Sequence, residues 1–182
     1  PGNTSETLWS EYLTFDELPQ VMNPKSGFIQ NCNNTPFITT TGDGNPDKSL
    51  YSETLGIESR MSNRALRAME LFGTDEKISR QEFEDYKYDL KYSDESYMSL
   101  FIDRLVAMSP AFEDEKLIEG IEVLKSWDLN TDIENLNASL PIISFGWFME
   151  THPDEVSDET LVDSFTDAVS YLYNHYGKLD VM

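Results

Sequence analysis

Apolar residues recur at helical spacing along most of this chain, and this periodicity constrains the fold more than any other feature of the sequence. The clearest case lies just before Gly177, where one helical face collects Leu161, Val162, Phe165, Ala168, Val169, Leu172 and Tyr173. Residues three and four positions apart lie on the same side of an α-helix, and glycine is common just beyond a helix end. The pattern therefore predicts a long amphipathic helix and a mainly α fold.

Helix signals begin near Ile57 and continue along the rest of the chain. Ser59 is the predicted cap of a first helix that ends at Gly73. The apolar residues that recur between them are Met61, Ala65, Leu66, Met69 and Phe72. Ser79 and Glu82 form a predicted capping box for a second helix. Further helices are predicted over residues 96–108, 115–127 and 141–149.

The N-terminal part of the chain has a different character. Two apolar pairs, Phe28-Ile29 and Phe37-Ile38, are separated by asparagines and a proline, which is typical of strand and turn. We therefore expect a strand-and-turn segment over residues 1–55, which carries an asparagine cluster, and a helical region over residues 56–182. The predicted fold class is mainly α with a short N-terminal β element.

The chain is strongly acidic, with 34 aspartates and glutamates against 13 lysines and arginines and a formal charge of -21. Binding to nucleic acid or to anionic membrane surfaces needs clustered basic residues, so this charge argues against both. No apolar run approaches the ~20 residues that a membrane-spanning helix requires. A hydrophobic content of 39% is too high for a disordered acidic tail, so the chain is expected to fold. The acidic surface is interpreted as a solvated one, and a basic partner or a cation stays open as an alternative.

Two acidic loops resemble the start of an EF-hand calcium site. In residues 43–47 and 128–132, oxygen ligands occupy alternate positions. The first loop then departs from the pattern, because Lys48 replaces the glycine of the sixth position and Thr54 replaces the glutamate of the twelfth. The second loop departs at the same two positions. No metal ligand is therefore assigned.

The segment from Leu18 to Phe37 carries the most specific pattern in the chain. It reads LPQVMNPKSGFIQNCNNTPF, a polar turn followed by a short apolar strand and a cluster of three asparagines. By residue type alone, such a cluster is also what a tight turn uses to satisfy its backbone groups. The order of residues resembles the penicillin amidase family, in which an N-P-x-S-G-[FY]-[IV] turn and strand lead to an N-x-N-[NDS] cluster. It is most similar to the acyl-homoserine lactone and aculeacin-type acylases, and the blocks GIESRMSNRALR (56–67) and LKSWD (124–128) continue the resemblance.

This resemblance implies an N-terminal nucleophile hydrolase. Members of the family cut their own precursor, and the serine exposed at the start of the β-subunit attacks an amide with its own α-amine as base. Pro1 does not match that serine, and the matching segment lies well downstream of the cleavage point. The chain is therefore expected to be a β-subunit fragment of a larger protein, inactive alone. Its helices would form an excursion from the family's α/β/β/α core.

The resemblance also sets the expected function of the complete protein. It would be a periplasmic or secreted acylase that cleaves an acyl chain from an amine, as in an acyl-homoserine lactone or a β-lactam, with roles in quorum quenching and antibiotic metabolism. Cys32 stands where penicillin G-type members carry tryptophan, which favours the lactone-acylase side. The expected partners are the small-molecule amide substrate and the remaining α and β segments of the same precursor, with no nucleic acid and no membrane.

Two residues carry the catalytic site that the resemblance implies. Asn33 matches the asparagine whose side-chain amide, together with a backbone N–H, holds the oxyanion. Arg60 matches the arginine that orients the site at the start of the next helix; by residue type alone it is an ordinary helix-surface arginine. No cofactor is expected to be required. The family binds a structural calcium ion through an aspartate after the asparagine cluster, and Asp47 is its candidate counterpart, to which no role is assigned.

A second hypothesis belongs to another functional class. The segment would then be an acidic helical module that binds a protein partner or calcium. Such a module would retain its ligand when isolated, whereas an acylase fragment would depend on the nucleophile of another segment. A calcium titration separates the two hypotheses.

Overall fold

The computed structural model describes residues 3–8 and 11–181, and the chain forms two compact units. The first unit comprises Pro1–Met61 and the second unit comprises Ser62–Met182. The α-helices of the described residues lie in the second unit: α1 (Asn63–Gly73), α2 (Arg80–Lys87), α3 (Tyr97–Met108), α4 (Glu115–Ser126), α5 (Ser139–Phe145) and α6 (Asp158–Tyr176). The first unit contains short 3-10 turns at Ser5–Thr7, Phe15–Glu17, Gly42–Gly44, Lys48–Leu50 and Glu53–Leu55. The mainly α fold class is thus confirmed.

Side-chain caps explain where most of the predicted helices begin. Ser79 and Glu82 form the predicted capping box of α2, in which Ser79 N–H donates to Glu82 Oε2 at 2.7 Å and Glu82 N–H donates to Ser79 Oγ at 3.2 Å. Ser96 and Ser157 cap α3 and α6 through their hydroxyl groups. Helix α6 ends at Tyr176, and the next residue, Gly177, has a φ of 72°, in the left-handed region that glycine adopts without strain. The predicted capping box, the predicted helix that begins near Ser96 and the predicted stop at Gly177 are confirmed.

The start of α1 differs from the prediction. Its cap is Ser62, whose hydroxyl accepts a hydrogen bond from Ala65 N–H at 3.2 Å, and not Ser59. The N–H groups of Ser59 and Arg60 both donate to a carboxylate oxygen of Glu58 at 2.8 Å. A helix that began at Ser59 would need Arg60 O as an acceptor for the N–H four residues on. Arg60 O accepts the Thr35 N–H at 2.9 Å, and the chain enters the helix only after Ser62. The prediction that Arg60 lies in the opening turn of a helix is therefore wrong.

The predicted β element forms no strand among the described residues. A backbone hydrogen bond joins its two apolar segments, from Gln30 N–H to Thr39 O at 2.8 Å. The next donors, the N–H groups of Thr39 and Thr40, are both taken by Asn45 Oδ1, at 2.8 and 3.1 Å. The Gln30 side chain donates to Ile38 O at 3.0 Å. Side chains thus occupy the backbone groups that a β ladder would need.

The first unit has a polar interior. Its buried residues, among those described, are Gln30, Thr35, Thr39 and Thr40. Large apolar side chains of the same unit are exposed, including Leu8, Tyr12, Phe15, Met22 and Leu50. Since little apolar surface is removed from water, hydrogen bonds rather than apolar packing determine the conformation of this unit.

The core of the second unit lies among α3, α4, α5 and α6. Its fully buried side chains include Met98, Phe101, Leu105, Leu140, Phe145, Leu161, Phe165 and Leu172. Helix α5 packs chiefly against α6, and the predicted apolar face of α6 is the buried one. In the described part of the chain, no helix combines the length and apolar character that a membrane span requires.

Arg104 on α3 fastens the turn that precedes α6. Its guanidinium donates to Pro153 O at 2.7 Å and to Val156 O at 3.0 Å, and it also pairs with Asp158. We expect Arg104→Met to lower the free energy of unfolding by about 1–3 kcal/mol, because two part-buried carbonyls lose their donor while the apolar stem is kept. Urea unfolding followed by far-UV circular dichroism measures this change.

Arg80 on α2 provides the matched control for Arg104. Its side chain is 93% exposed and pairs with Glu84 one helical turn away. Exposed pairs of this kind contribute little, so Arg80→Met should change the free energy of unfolding by less than ~0.5 kcal/mol. Equal effects of the two substitutions would contradict the anchoring role of Arg104.

Candidate functional site

The turn that precedes the asparagine cluster is built on two residues in the left-handed region. Asn23 has a φ of 48° and Gly27 a φ of 83°, and Gly27 N–H donates to Pro24 O at 3.1 Å. Asparagine and glycine tolerate positive φ better than other residues, which explains their places in this pattern. Beyond the turn, Thr40 Oγ1 donates to Phe28 O at 2.8 Å. Hydrogen bonds to the carbonyls of Pro24 and Phe28 therefore hold both ends of the turn that leads into the cluster.

The three asparagines of the cluster have different roles. Asn31 Oδ1 accepts the N–H of Asn33 at 3.3 Å, and Asn34 Oδ1 accepts the N–H of Cys32 at 2.9 Å. Asn34 Nδ2 also donates to Thr35 O at 2.7 Å. The bond from Asn33 N–H to Asn31 is typical of an Asx turn, in which an Asn side chain binds the backbone two residues on, whereas Asn34 binds the backbone two residues before it. Asn31 and Asn34 thus hold the turn through their side chains.

Asn33 lies in an exposed position within this turn. Its φ of 58° is left-handed, a conformation that asparagine adopts more readily than most residues. Its backbone N–H is engaged by Asn31, as described above. An amide side chain presents two neutral N–H donors, which suit the charge that develops on a carbonyl oxygen during acyl transfer. The residue predicted to hold an oxyanion is therefore accessible, and its backbone is held in place.

The segment that carries Arg60 is bonded to the asparagine turn. Thr35 N–H donates to Arg60 O at 2.9 Å, and Thr35 is only 1% exposed. Next to it, Asn34 Nδ2 lies 3.7 Å from Met61 Sδ. The structure thus brings the backbone of Arg60 beside the cluster that contains Asn33, although the two predicted site residues are far apart in the sequence.

The Arg60 side chain pairs with Glu58. Arg60 Nε and Nη2 lie 3.3 Å from Glu58 Oε1 and Oε2, respectively. The side-chain hydrogen bond from Arg60, followed by the backbone N–H groups of Arg60 and Ser59, lowers the pKa of Glu58 to about 2. Glu58 is therefore ionised at neutral and mildly acidic pH, and the pair keeps both charges there. Because the two side chains are 50% and 43% exposed, the pair contributes little to global stability.

Arg67 belongs to the same sequence block as Arg60 but serves a different purpose. Its Nε and Nη2 donate to the two carboxylate oxygens of Asp89 at 3.0 and 2.9 Å, and it also pairs with Glu70. The bond to Asp89 is the largest cause of the raised pKa of Arg67. This pairing fastens α1 to the segment after α2 within the second unit. The assignment of Arg60 as the site-orienting arginine stays a prediction.

The acidic loops that resemble EF-hand starts use their oxygens for turns. Asp47 Oδ1 accepts the N–H of Ser49 at 2.9 Å and its hydroxyl at 2.7 Å, and these bonds lower the pKa of Asp47. In the second loop, Asp128 Oδ1 accepts Asn130 N–H at 3.0 Å and Asn135 Nδ2 at 2.8 Å. Among the residues that the structure describes, no three histidine, cysteine or acidic groups converge as a metal site would require.

Two residues next to the predicted site were missed by sequence reasoning, Thr35 and Glu58. Glu58 stands two positions before Arg60, and residues at this spacing lie on the same side of an extended segment. An acidic and a basic residue at this spacing therefore indicate a local ion pair. Thr35 gives no such signal, because only the fold shows that its N–H reaches Arg60 O.

The family model for penicillin amidase matches residues 1–179 of this chain. The match covers almost the whole chain and includes Asn33, Arg60 and the helices of the second unit. The resemblance carried by a few sequence blocks therefore holds at the level of the family. Assignment to the acyl-homoserine lactone or aculeacin type stays a prediction.

Proposed function

The chain belongs to the penicillin amidase family, and from this premise we propose that the complete protein hydrolyses an amide that joins an acyl chain to an amine. The family match over residues 1–179 is the observation that carries the proposal. Penicillin amidases are hydrolases, so the reaction class follows from the family. The substrate and the roles of individual residues are proposed below.

In the proposed mechanism, Asn33 stabilises the oxyanion. The hydroxyl of an N-terminal serine, supplied by another segment of the precursor, adds to the carbonyl carbon while its own amine takes the proton. Negative charge then develops on the carbonyl oxygen, and the Asn33 amide donates a hydrogen bond to it. Two observations support this role: Asn33 is exposed, and neighbouring asparagines make the side-chain bonds that hold the turn.

Arg60 orients the site in this proposal. Its carbonyl accepts the Thr35 N–H directly after the asparagine cluster, so its backbone has a defined position relative to the turn. A guanidinium is always charged at physiological pH and presents donors in a rigid plane, which makes it suited to hold neighbouring groups in one orientation.

The proposed substrates are acyl-homoserine lactones or β-lactams that carry an acyl side chain. Cys32 precedes Asn33 at the position where penicillin G-type members have tryptophan, and this supports the lactone-acylase side. The protein is proposed to act in the periplasm or outside the cell, assembled with the remaining α and β segments of its precursor.

The proposal is tested with the complete precursor and with the 182-residue chain. Each is incubated with an acyl-homoserine lactone and with an N-acylated β-lactam, and the released amine is quantified with an amine-reactive fluorophore. We expect release by the processed complete protein and none by the chain alone. Absence of release by the complete protein would refute the proposal. Micromolar calcium affinity of the chain alone would favour the cation-binding module instead.

A further inference from the structure

We propose that Glu58 is a positioning residue of the candidate site, which acts by holding Arg60 in one orientation. This inference rests on the function proposed above, because it gives Arg60 a task in the reaction. It adds to the site a residue that does not touch the substrate. The geometry around the Glu58 carboxylate carries it.

The Glu58 carboxylate binds both the backbone and the side chain of Arg60. Its Oε1 accepts the N–H groups of Ser59 and Arg60 at 2.8 Å and the Arg60 Nε at 3.3 Å. Its Oε2 accepts Arg60 Nη2 at 3.3 Å. Two parallel bonds between a carboxylate and a guanidinium restrain the plane of the guanidinium as well as its position. A single side chain therefore restrains Arg60 from its amide to its charged end.

The opposite end of Arg60 is restrained by the asparagine turn. Its carbonyl accepts the N–H of Thr35, which is buried, and Thr35 Oγ1 in turn accepts Phe37 N–H at 3.2 Å. Arg60 is thus held on its carbonyl side by the cluster and on its amide and guanidinium side by Glu58. An exposed arginine otherwise samples many rotamers, and ordering it only when substrate binds would cost conformational entropy. Glu58 removes part of that cost before binding.

An ordinary surface pair is the competing explanation of the same contacts. Exposed pairs contribute little to stability, and a carboxylate that accepts two N–H groups also stabilises a local turn. The two explanations differ for Glu58→Gln. Glutamine keeps an oxygen for the two N–H groups but replaces the second oxygen with a donor that cannot accept Arg60 Nη2. If Glu58 only stabilises the local turn, Glu58→Gln should keep the wild-type kcat. If Glu58 positions the guanidinium of Arg60, Glu58→Gln should lower kcat.

The experiment measures kcat and KM of the complete protein for Glu58→Ala, Glu58→Gln, Arg60→Ala and the double variant Glu58→Ala/Arg60→Ala. We expect both Glu58 variants to lower kcat by about tenfold or more, within the hundredfold that a misplacement of ~1 Å costs, with KM within about twofold of wild type. In the Arg60→Ala background, Glu58→Ala should have no further effect. Glu53→Ala is the matched control, since Glu53 is an exposed glutamate of the same unit that makes no ion pair within the described residues.

The outcomes separate this inference from the proposed function. If Arg60→Ala leaves kcat unchanged, the proposed role of the arginine fails and the inference fails with it. If Arg60→Ala lowers kcat but Glu58→Ala does not, the inference alone is overturned. Full rescue by Glu58→Gln, or an equal loss from Glu58→Ala with and without Arg60, also overturns it. Far-UV circular dichroism of each variant ensures that the losses compare folded proteins.

Discussion

Asn33→Ala in the complete protein is expected to lower kcat by several hundredfold, which corresponds to ~3 to 4 kcal/mol of lost transition-state stabilisation. The loss falls on kcat because the carbonyl oxygen gains its charge only in the transition state, so the amide N–H binds that state more strongly than the substrate. The bonds from the Asn31 and Asn34 side chains to the backbone of the turn remain in this variant, and far-UV circular dichroism checks that it folds.

Two further substitutions separate the effect of losing the Asn33 amide donor from the effect of backbone strain at this position. Asn33 has a φ of 58°, and alanine is strained in that region, whereas Asn33→Gly removes the amide without this strain. Asn33→Asp keeps the shape but replaces the donor with a negative charge, so it should lower kcat at least as much as glycine. Asn23→Gly is the matched control, because Asn23 is also exposed with a φ of 48°. Near-normal kcat in Asn33→Gly would refute the oxyanion role.

The helices were predictable from the sequence because each of their signals acts within one turn. The box of Ser79 and Glu82 and the stop at Gly177 are local hydrogen bonds and local dihedral preferences. The start of α1 was misplaced because Ser59 and Ser62 are equivalent as residue types. The later start is favoured by a long-range bond, from Thr35 N–H to Arg60 O, which no local pattern of residues indicates.

The candidate site was predictable only in part, because its contacts join distant segments. The order of residues around Asn33 carried the family resemblance, and the family match supports it. The predicted pairing of the segments around residues 28–29 and 37–38 required their backbone N–H and C=O groups to be free for a β ladder. Asn45 Oδ1 accepts the N–H groups of Thr39 and Thr40, and no pattern in the sequence predicts these two hydrogen bonds. The bond from Thr35 N–H to Arg60 O could not be predicted either, because it joins residues that are far apart in the sequence.

Phe165→Ala is expected to destabilise the second unit by about 3–5 kcal/mol, the largest stability loss predicted for this chain. Phe165 on α6 is completely buried and stacks on Phe112 with ring centroids 6.3 Å apart. The ring also lies against Gly120 of α4, where an added Cβ would come within 2.7 Å of Phe165 Cζ. Alanine removes these contacts and leaves a cavity between two helices. Urea unfolding of wild type and variant measures the difference.

The close contact between Phe165 and Gly120 can be tested separately by substitutions at both positions. Glycine to alanine inside a helix normally stabilises by up to ~1 kcal/mol, but at Gly120 the new methyl meets the buried ring, and overpacking costs about 1–3 kcal/mol. Gly120→Ala should therefore destabilise the protein, whereas Gly146→Ala should stabilise it, since Gly146 has a helical φ of -55° and open space around it. In a Phe165→Leu background the ring is gone, so Gly120→Ala should lose most of its cost. An equal cost in both backgrounds would mean that the two residues do not limit how closely α4 and α6 approach each other.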